Sequence, residues 1–296
     1  MDKLLIIGAT GLLGSKALEL AERRYESYGT YNTNKKKSLL QLDVTDKSAV
    51  DAIFNKLHPD FVLDTHALNN VDYCELHRNE AFNINVAGSV NIIGACYRLG
   101  AKYASISSDY VFDGKKSLYT EKSLQNPLNY YGRTKWAAEI MPAIVGLDAI
   151  VARTSSIYGI GSSTGKKSFV PWLIENLKKG NSTDVLSDLY YSPTYNIDLA
   201  KTAFDLYDAE QSGLFNVVGS DCISKYTFAQ MISKEFELDT NLLKPISSTD
   251  LNQSAKRPRK AKLSVNKLVS AIAQKPVGVK HGLKLLHKEM IERGLW

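Results

Sequence analysis

The feature that most limits what this chain can become lies within its first fourteen residues. An apolar run, Leu4-Leu5-Ile6-Ile7, leads directly into Gly8-Ala9-Thr10-Gly11-Leu12-Leu13-Gly14. Glycines three apart between a strand and a helix meet separate needs. One permits a tight turn, one lets the backbone approach a pyrophosphate, and one lets the helix pack closely on the strand. The helix that follows offers unpaired N–H groups and the positive end of its dipole to phosphates. A glycine triplet alone also fits a flexible turn, but its place after a first strand selects dinucleotide binding. Gly8, Thr10, Gly11, Leu12, Leu13 and Gly14 are therefore candidate cofactor contacts.

The next 140 or so residues alternate short apolar runs with helical patterns. Strands are expected at Lys3–Ile7, Tyr28–Tyr31, Leu39–Leu42, Phe61–Asp64, Tyr103–Ser107 and Asp148–Arg153. Helices are expected at Leu12–Arg24, Asp46–Leu57 with Thr45 as N-cap, Glu80–Leu99 ended by Gly100, and Tyr130–Val145. This rhythm predicts an α/β fold, a doubly wound parallel sheet with helices on both faces. After Arg153 it breaks. A Gly/Ser-rich loop over Gly159–Gly165, helices at Phe169–Lys178 and Tyr226–Phe236 and a strand at Gly213–Val218 predict a smaller second α/β lobe. The 296 residues thus divide into a cofactor-binding domain, 1–155, and a mainly substrate-binding lobe, 156–296. Part of 192–218 is expected to return to the first domain.

Composition excludes several classes. No apolar run approaches the roughly 18–20 residues that cross a bilayer. The N-terminus lacks the regions of a signal peptide, so a cytoplasmic location without a membrane partner is expected. Cys74, Cys96 and Cys222 show no metal-ligand spacing, which predicts no metal site and a reducing compartment. The net charge of +6 suits either nucleic acid or a small ligand with several phosphates. The basic residues are dispersed, with one dense run at Lys256–Lys262, which disfavours nucleic acid. A homodimer is left open.

The second strand identifies the dinucleotide. An NAD site places a carboxylate there, about 20 residues past the glycines, to hold the ribose 2′-hydroxyl. Here the segment is Tyr31-Asn32-Thr33-Asn34-Lys35-Lys36-Lys37. Tyr31, Asn32, Thr33 and Lys35 are donors suited to a 2′-phosphate, so NADPH is expected, with NADH left open. Asp43, after the third strand, can accept from an adenine amino group or serve as a turn residue.

Tyr131 and Lys135 stand four apart in Tyr131-Gly132-Arg133-Thr134-Lys135, so on a helix they share a face. A hydride arriving at a carbonyl carbon leaves charge on oxygen, and a proton must be delivered there. A neighbouring ammonium lowers a phenol pKa toward the working range, and Lys can also hold a ribose. The spacing is common by chance; its position after the fifth strand carries the reading. Ser108, at that strand's tip in Ser107-Ser108-Asp109-Tyr110, can hold the reacting oxygen. Asp109 is a candidate for substrate binding or for capping a loop. Asn85, on the long helix, can brace Lys135, order water, or bond helix to sheet.

These segments resemble the extended short-chain dehydrogenase/reductases and, among them, the dTDP-4-dehydrorhamnose reductase family. The glycine loop, Leu42-Asp43-Val44, Val71-Asp72-Tyr73-Cys74-Glu75, the Ser107–Phe112 run, Tyr131–Lys135, Arg153-Thr154-Ser155, Ser192-Pro193-Thr194-Tyr195 and Arg257-Pro258 all stand in the family order. The resemblance implies a Rossmann-type fold. It implies a catalytic set of Ser108, Tyr131 and Lys135, and an adenine pocket at Asp43 and Val44. It places His66, Ala67 and Leu68 along the cofactor. The implied reaction is NADPH-dependent reduction of a nucleotide-linked 4-keto-6-deoxy sugar.

There are departures. The family's Trp after Arg-Thr-Ser is Ser156 here, its Asn-Ala-Ala-Ala is Asp64-Thr65-His66-Ala67, and its Asn before the second-lobe Phe is Ser168. A 4,6-dehydratase would carry Asp-Glu where this chain has Asp109-Tyr110, and an epimerase–reductase of the GDP-fucose type would carry Cys in place of Asp109. The regulatory subunit of methionine adenosyltransferase resembles the same family, so a non-catalytic NADP-binding protein is the alternative reading.

Overall fold

In the computed structural model, which describes residues 1–161 and 168–296, the first half builds strand by strand as its apolar runs predict. It comprises β1 (Lys3–Ile7), α1 (Gly14–Ala21), β2 (Glu26–Tyr31), β3 (Leu40–Gln41), α2 (Lys47–Leu57) and β4 (Phe61–Asp64). These are followed by α3 (Val71–Leu76), α4 (Arg78–Phe82), α5 (Gly88–Leu99), β5 (Lys102–Ser108), α6 (Tyr130–Ile144) and β6 (Ala149–Thr154). The second half adds β7 (Ile157–Tyr158), α7 (Phe169–Lys178), β8 (Thr183–Leu186), β9 (Tyr190–Tyr191), β10 (Thr194–Tyr195), α8 (Asn196–Asp208), β11 (Gly213–Asn216), β12 (Ile223–Ser224), α9 (Lys225–Glu235), β13 (Leu243–Ile246), α10 (Asn266–Ile272) and α11 (Val279–Glu292).

Seven parallel strands form the central sheet in the order β11-β6-β5-β4-β1-β2-β3. The chain runs outward from β1 in both directions, so β1 and β4 flank the switch point, where ligands lodge beyond the carboxyl ends of strands. One face of the sheet packs on α1 and α8 through Ala17, Leu199, Ala203 and Phe204. The other packs on α2 and α5 through Val50, Phe54, Ile92 and Cys96. A third apolar cluster joins α7, α9 and α11 through Leu173, Phe228 and Leu286. Thus α8 and β11, which follow residue 195, lie with the first sheet, while residues 169–186 and 225–246 build the other body with α11.

Several boundaries differ from expectation for identifiable reasons. α1 starts at Gly14 because Leu12 and Leu13 stay in the turn. α2 is capped by Asp46, which accepts from the backbone N–H groups of Ser48 (2.9 Å) and Ala49 (3.1 Å), while Thr45 instead donates to Asp43. The long helix expected over Glu80–Leu99 is interrupted by a π turn at Asn83–Ala87, a form that recurs at functional sites. Helix α8 has no expected counterpart. Residues 162–165 of the expected Gly159–Gly165 loop lie outside the described residues. No described helix is long and apolar enough to cross a membrane.

Candidate active site

The glycine loop turns from β1 into α1 at the switch point. A Cβ on Gly14 would stand 2.3 Å from the Gly8 carbonyl oxygen and 2.6 Å from Thr65 Oγ1, so only glycine allows this closeness. Thr30 fixes the loop from the neighbouring strand: its hydroxyl accepts from Gly8 N (3.1 Å) and its carbonyl from Ala9 N (2.8 Å). No side chain caps α1, so the positive end of its dipole is open to an anion. Asn196 bonds the Leu12 carbonyl at 3.0 Å and the Ile160 carbonyl at 2.9 Å, joining the later half of the chain to the loop.

From this loop a cleft of about 1030 Å³ runs toward the second body. All six loop candidates line it, as do Asn32, Thr33 and Val44, then His66, Ala67 and Leu68, and finally Ser108, Asp109, Tyr131, Lys135 and Ser156. Four candidates do not. Tyr31 is buried in the core. Lys35 is exposed and away from the cleft. Asp43 accepts from Thr45 N (2.9 Å) and Oγ1 (2.8 Å), both at Oδ1. Asn85 lies behind the wall: it bonds both backbone groups of Leu68 and the Thr134 hydroxyl (3.0 Å). It therefore ties the Leu68 stretch to α6 without reaching Lys135 itself.

Tyr131 and Lys135 face the cleft from the first turns of α6. Gly132, between them, sits against the turn that follows β5: a Cβ there would lie 2.2 Å from the Tyr110 carbonyl oxygen. Asn129 caps the helix through Gly132 N (2.8 Å). One turn past Lys135, the fully buried Arg153 is held by both carboxylate oxygens of Glu139, which also accepts from Ser107 (2.7 Å). Paired this way, a buried ion pair fixes α6 against β5 and β6, and losing one partner would strand a charge.

Electrostatics corrects one expectation. Burial pushes the Tyr131 phenol up, and the Ser108 hydroxyl beside it pulls only part of the way back. The phenol thus stays protonated, which suits a proton donor. Burial lowers the Lys135 pKa, opposed by Asp64 and Glu139. Asp109, also buried, is raised to about 6 even though Ser155 (2.5 Å) and Ser108 (3.2 Å) donate to it. Ser156 occupies the left-handed region at φ 35°, where a β-carbon is strained.

The opposite wall holds residues not picked out from the sequence. Phe169, Tyr190, Tyr191, Lys225 and Gln253 line the cleft, with Arg257 and Pro258 of the quoted motif. Arg257 pairs with Asp72 at 2.5 Å. Lys225 has no carboxylate within ion-pair distance among the described residues, and its ammonium lies 4.6 Å from the Phe169 ring centre. Burial, and then Arg257, lower its pKa. Tyr190, Tyr191 and Gln253 stand a few residues from Ser192–Tyr195 and Arg257-Pro258, while nothing local in the sequence marks Lys225.

Comparison with known proteins agrees with this geometry. The chain is 31% identical to a Bacillus subtilis spore coat polysaccharide biosynthesis protein, SpsK, over 99% of its own length and 98% of the relative's. It is 30% identical to the Bos taurus methionine adenosyltransferase 2 subunit beta, over 95% and 87% of the two chains. Its fold superposes with a TM-score of 0.89 on a dTDP-4-dehydrorhamnose reductase from Bacillus anthracis solved in complex with NADP, at 29% identity over 97% and 99% of the two chains. A family model described as the RmlD substrate binding domain matches residues 2–291, and the chain belongs to that family of extended short-chain dehydrogenase/reductases.

Proposed function

We propose that the protein is an NADPH-dependent reductase of a nucleotide-linked 4-keto-6-deoxy sugar. The observation that carries this reading is the convergence of Ser108, Tyr131 and Lys135 on one cleft with the glycine loop. The cradle fits a dinucleotide: Gly14 leaves the space a β-carbon would fill, α1 is uncapped, and no carboxylate follows β2. When bound, NADPH supplies the hydride. Tyr131 gives its proton to the carbonyl oxygen, Ser108 holds that oxygen, and Lys135 stabilises the phenolate left behind. Residues 1–155 would hold the cofactor. Lys225 and Arg257 would face the charged nucleotide portion of the substrate across the cleft, beside Asp109 and Ser156. Residues 169–186 and 225–246 would form most of that lobe.

The similarity to a methionine adenosyltransferase beta subunit favours a second reading, a non-catalytic NADP-binding partner. One experiment separates the two. NADPH oxidation is followed with a panel of nucleotide 4-keto sugars for wild type and Tyr131→Phe. Turnover that falls about 10²–10⁴-fold in the variant, with NADPH affinity kept, is expected. Tight NADPH binding without turnover on any sugar selects the partner reading. Equal affinity for NADH and NADPH would remove the argument from Asn32, Thr33 and the lysines that follow.

A further inference from the structure

We propose that His66 is a positioning residue for Lys135: as a charged partner it engages Asp64 and so leaves the neighbouring ammonium free to face Tyr131. Its significance for turnover rests on the reductase reading; its geometry does not.

The hydrogen bonds around these residues assign the protons. The His66 ring has acceptors at both nitrogens, Asp64 Oδ1 at 2.5 Å from Nδ1 and the Ile84 carbonyl oxygen at 2.9 Å from Nε2. A carbonyl cannot donate, so Nε2 carries hydrogen. Asp64 Oδ1 also accepts from His66 N (3.2 Å), and its Oδ2 accepts from the Tyr103 hydroxyl (2.7 Å). Both carboxylate oxygens therefore receive donors, and Nδ1 carries hydrogen as well. The pair is an imidazolium and a carboxylate, nearly closed to solvent. Burial alone would discharge the ring, but Asp64 outweighs it and raises the His66 pKa. The Ile84 carbonyl that receives the ring belongs to the π turn.

Behind the pair lies a cavity of about 10 Å³, lined by Asp64, His66, Ser105, Ser107, Lys135 and Glu139. That is room for about one water. Two carboxylates border it with the Lys135 ammonium, which has no ion-pair partner among the described residues. Glu139 is committed to Arg153, Ser107 and Gln125. Asp64 is thus the carboxylate toward which Lys135 would turn if His66 were absent. The other titratable groups facing Asp64 are Tyr103, which donates to it, and the buried Cys96 thiol, which its charge helps hold protonated. The family pattern of Asn and Ala at positions 64 and 66 avoids this competition by carrying no charge at either place. Here the charge is present and balanced.

The test uses the full chain. Nitrogen-15 NMR of the five histidines, with His66 assigned through His66→Gln, should find both ring nitrogens protonated at pH 7.5. A neutral His66 ring would overturn the proposal. Carbon-13 lysine NMR should find the Lys135 titration moved upward in His66→Ala and returned in Asp64→Asn/His66→Ala; no movement in the single variant would also overturn it. In turnover at saturating NADPH, His66→Ala should lose about tenfold in kcat, and the double variant should recover to within about threefold. A double variant as slow as the single one would make His66 merely structural. If wild type turns over no keto sugar, the reductase reading fails while both NMR outcomes still decide the charge arrangement.

Discussion

The two walls of the cleft are built in opposite ways. The wall at the carboxyl ends of β1, β4 and β5 is held by buried polar bonds that leave little freedom: Thr30 on the glycine loop, Asn85 between Leu68 and Thr134, Glu139 on Arg153. The facing wall carries long or aromatic side chains, Phe169, Tyr190, Tyr191 and Lys225. A rigid wall suits a reaction whose geometry must be held to a fraction of an ångström. A wall of tyrosines and a lysine suits recognition, which tolerates replacement. The same contrast appears in the departures from the family pattern, since Ser156 replaces the family's Trp on the cleft surface while Ser108, Tyr131 and Lys135 remain.

The largest test of this contrast is Glu139→Gln. It keeps the shape of the side chain but leaves Arg153, with none of its surface exposed, without a counter-charge. Stranding a buried charge costs about 3–5 kcal/mol, so urea unfolding should show a loss of that size, and α6 should lose its register against β5. A loss below about 1 kcal/mol would mean that the rigid wall is not held by this pair.

The rigid wall is also the legible one. Its motifs satisfy backbone demands that sequence states directly: glycines where a β-carbon collides, and Tyr and Lys one turn apart on a helix. Where a role depends on direction, sequence does not state it. Asp43 accepts from Thr45, Tyr31 packs in the core and Lys35 is exposed, although all three stand in the expected segments. The Asp64–His66–Tyr103 arrangement was hidden because it depends on β4 and β5 lying side by side, with Asp64 opposite Ser105. Helix α8 was missed because its apolar residues read as one more stretch of a lobe that had lost its rhythm. The opposite wall gathers residues from 169 to 258, and no local pattern reports that Lys225 and Gln253 line one cleft.

Asp109 lies at the seam and should behave as part of the rigid wall. Its ordinary pKa is 3.8, and burial raises it to about 6 in the folded protein. The folded state therefore holds this proton more tightly than the unfolded chain, so its contribution to stability is present below pH 4 and is lost as pH rises from about 4 to about 6. A shift of about two units corresponds to about 3 kcal/mol. Asp109→Asn cannot ionise, so its stability relative to wild type should rise by about that amount between pH 4 and pH 7, read from urea unfolding at each pH. A difference that is flat with pH would place Asp109 in solvent contact, on the recognition side of the seam.

The smallest expected effect tests the other wall. Lys225 begins α9 with its ammonium against the Phe169 ring and Arg257 as a like charge nearby. Two cations on one wall repel, and an anion between them removes that repulsion while gaining hydrogen bonds. A hydrogen bond to a charged group contributes about 1.5–3 kcal/mol, and Arg257 would retain part of it. Lys225→Ala should therefore raise the KM for the nucleotide sugar about tenfold while leaving thermal stability and NADPH affinity where they were. That split is what separates the walls: a change at Glu139 should be felt throughout the fold, and a change at Lys225 only by the substrate. If NADPH affinity falls instead, Lys225 serves the cofactor, and the boundary between the two walls runs on the far side of α9.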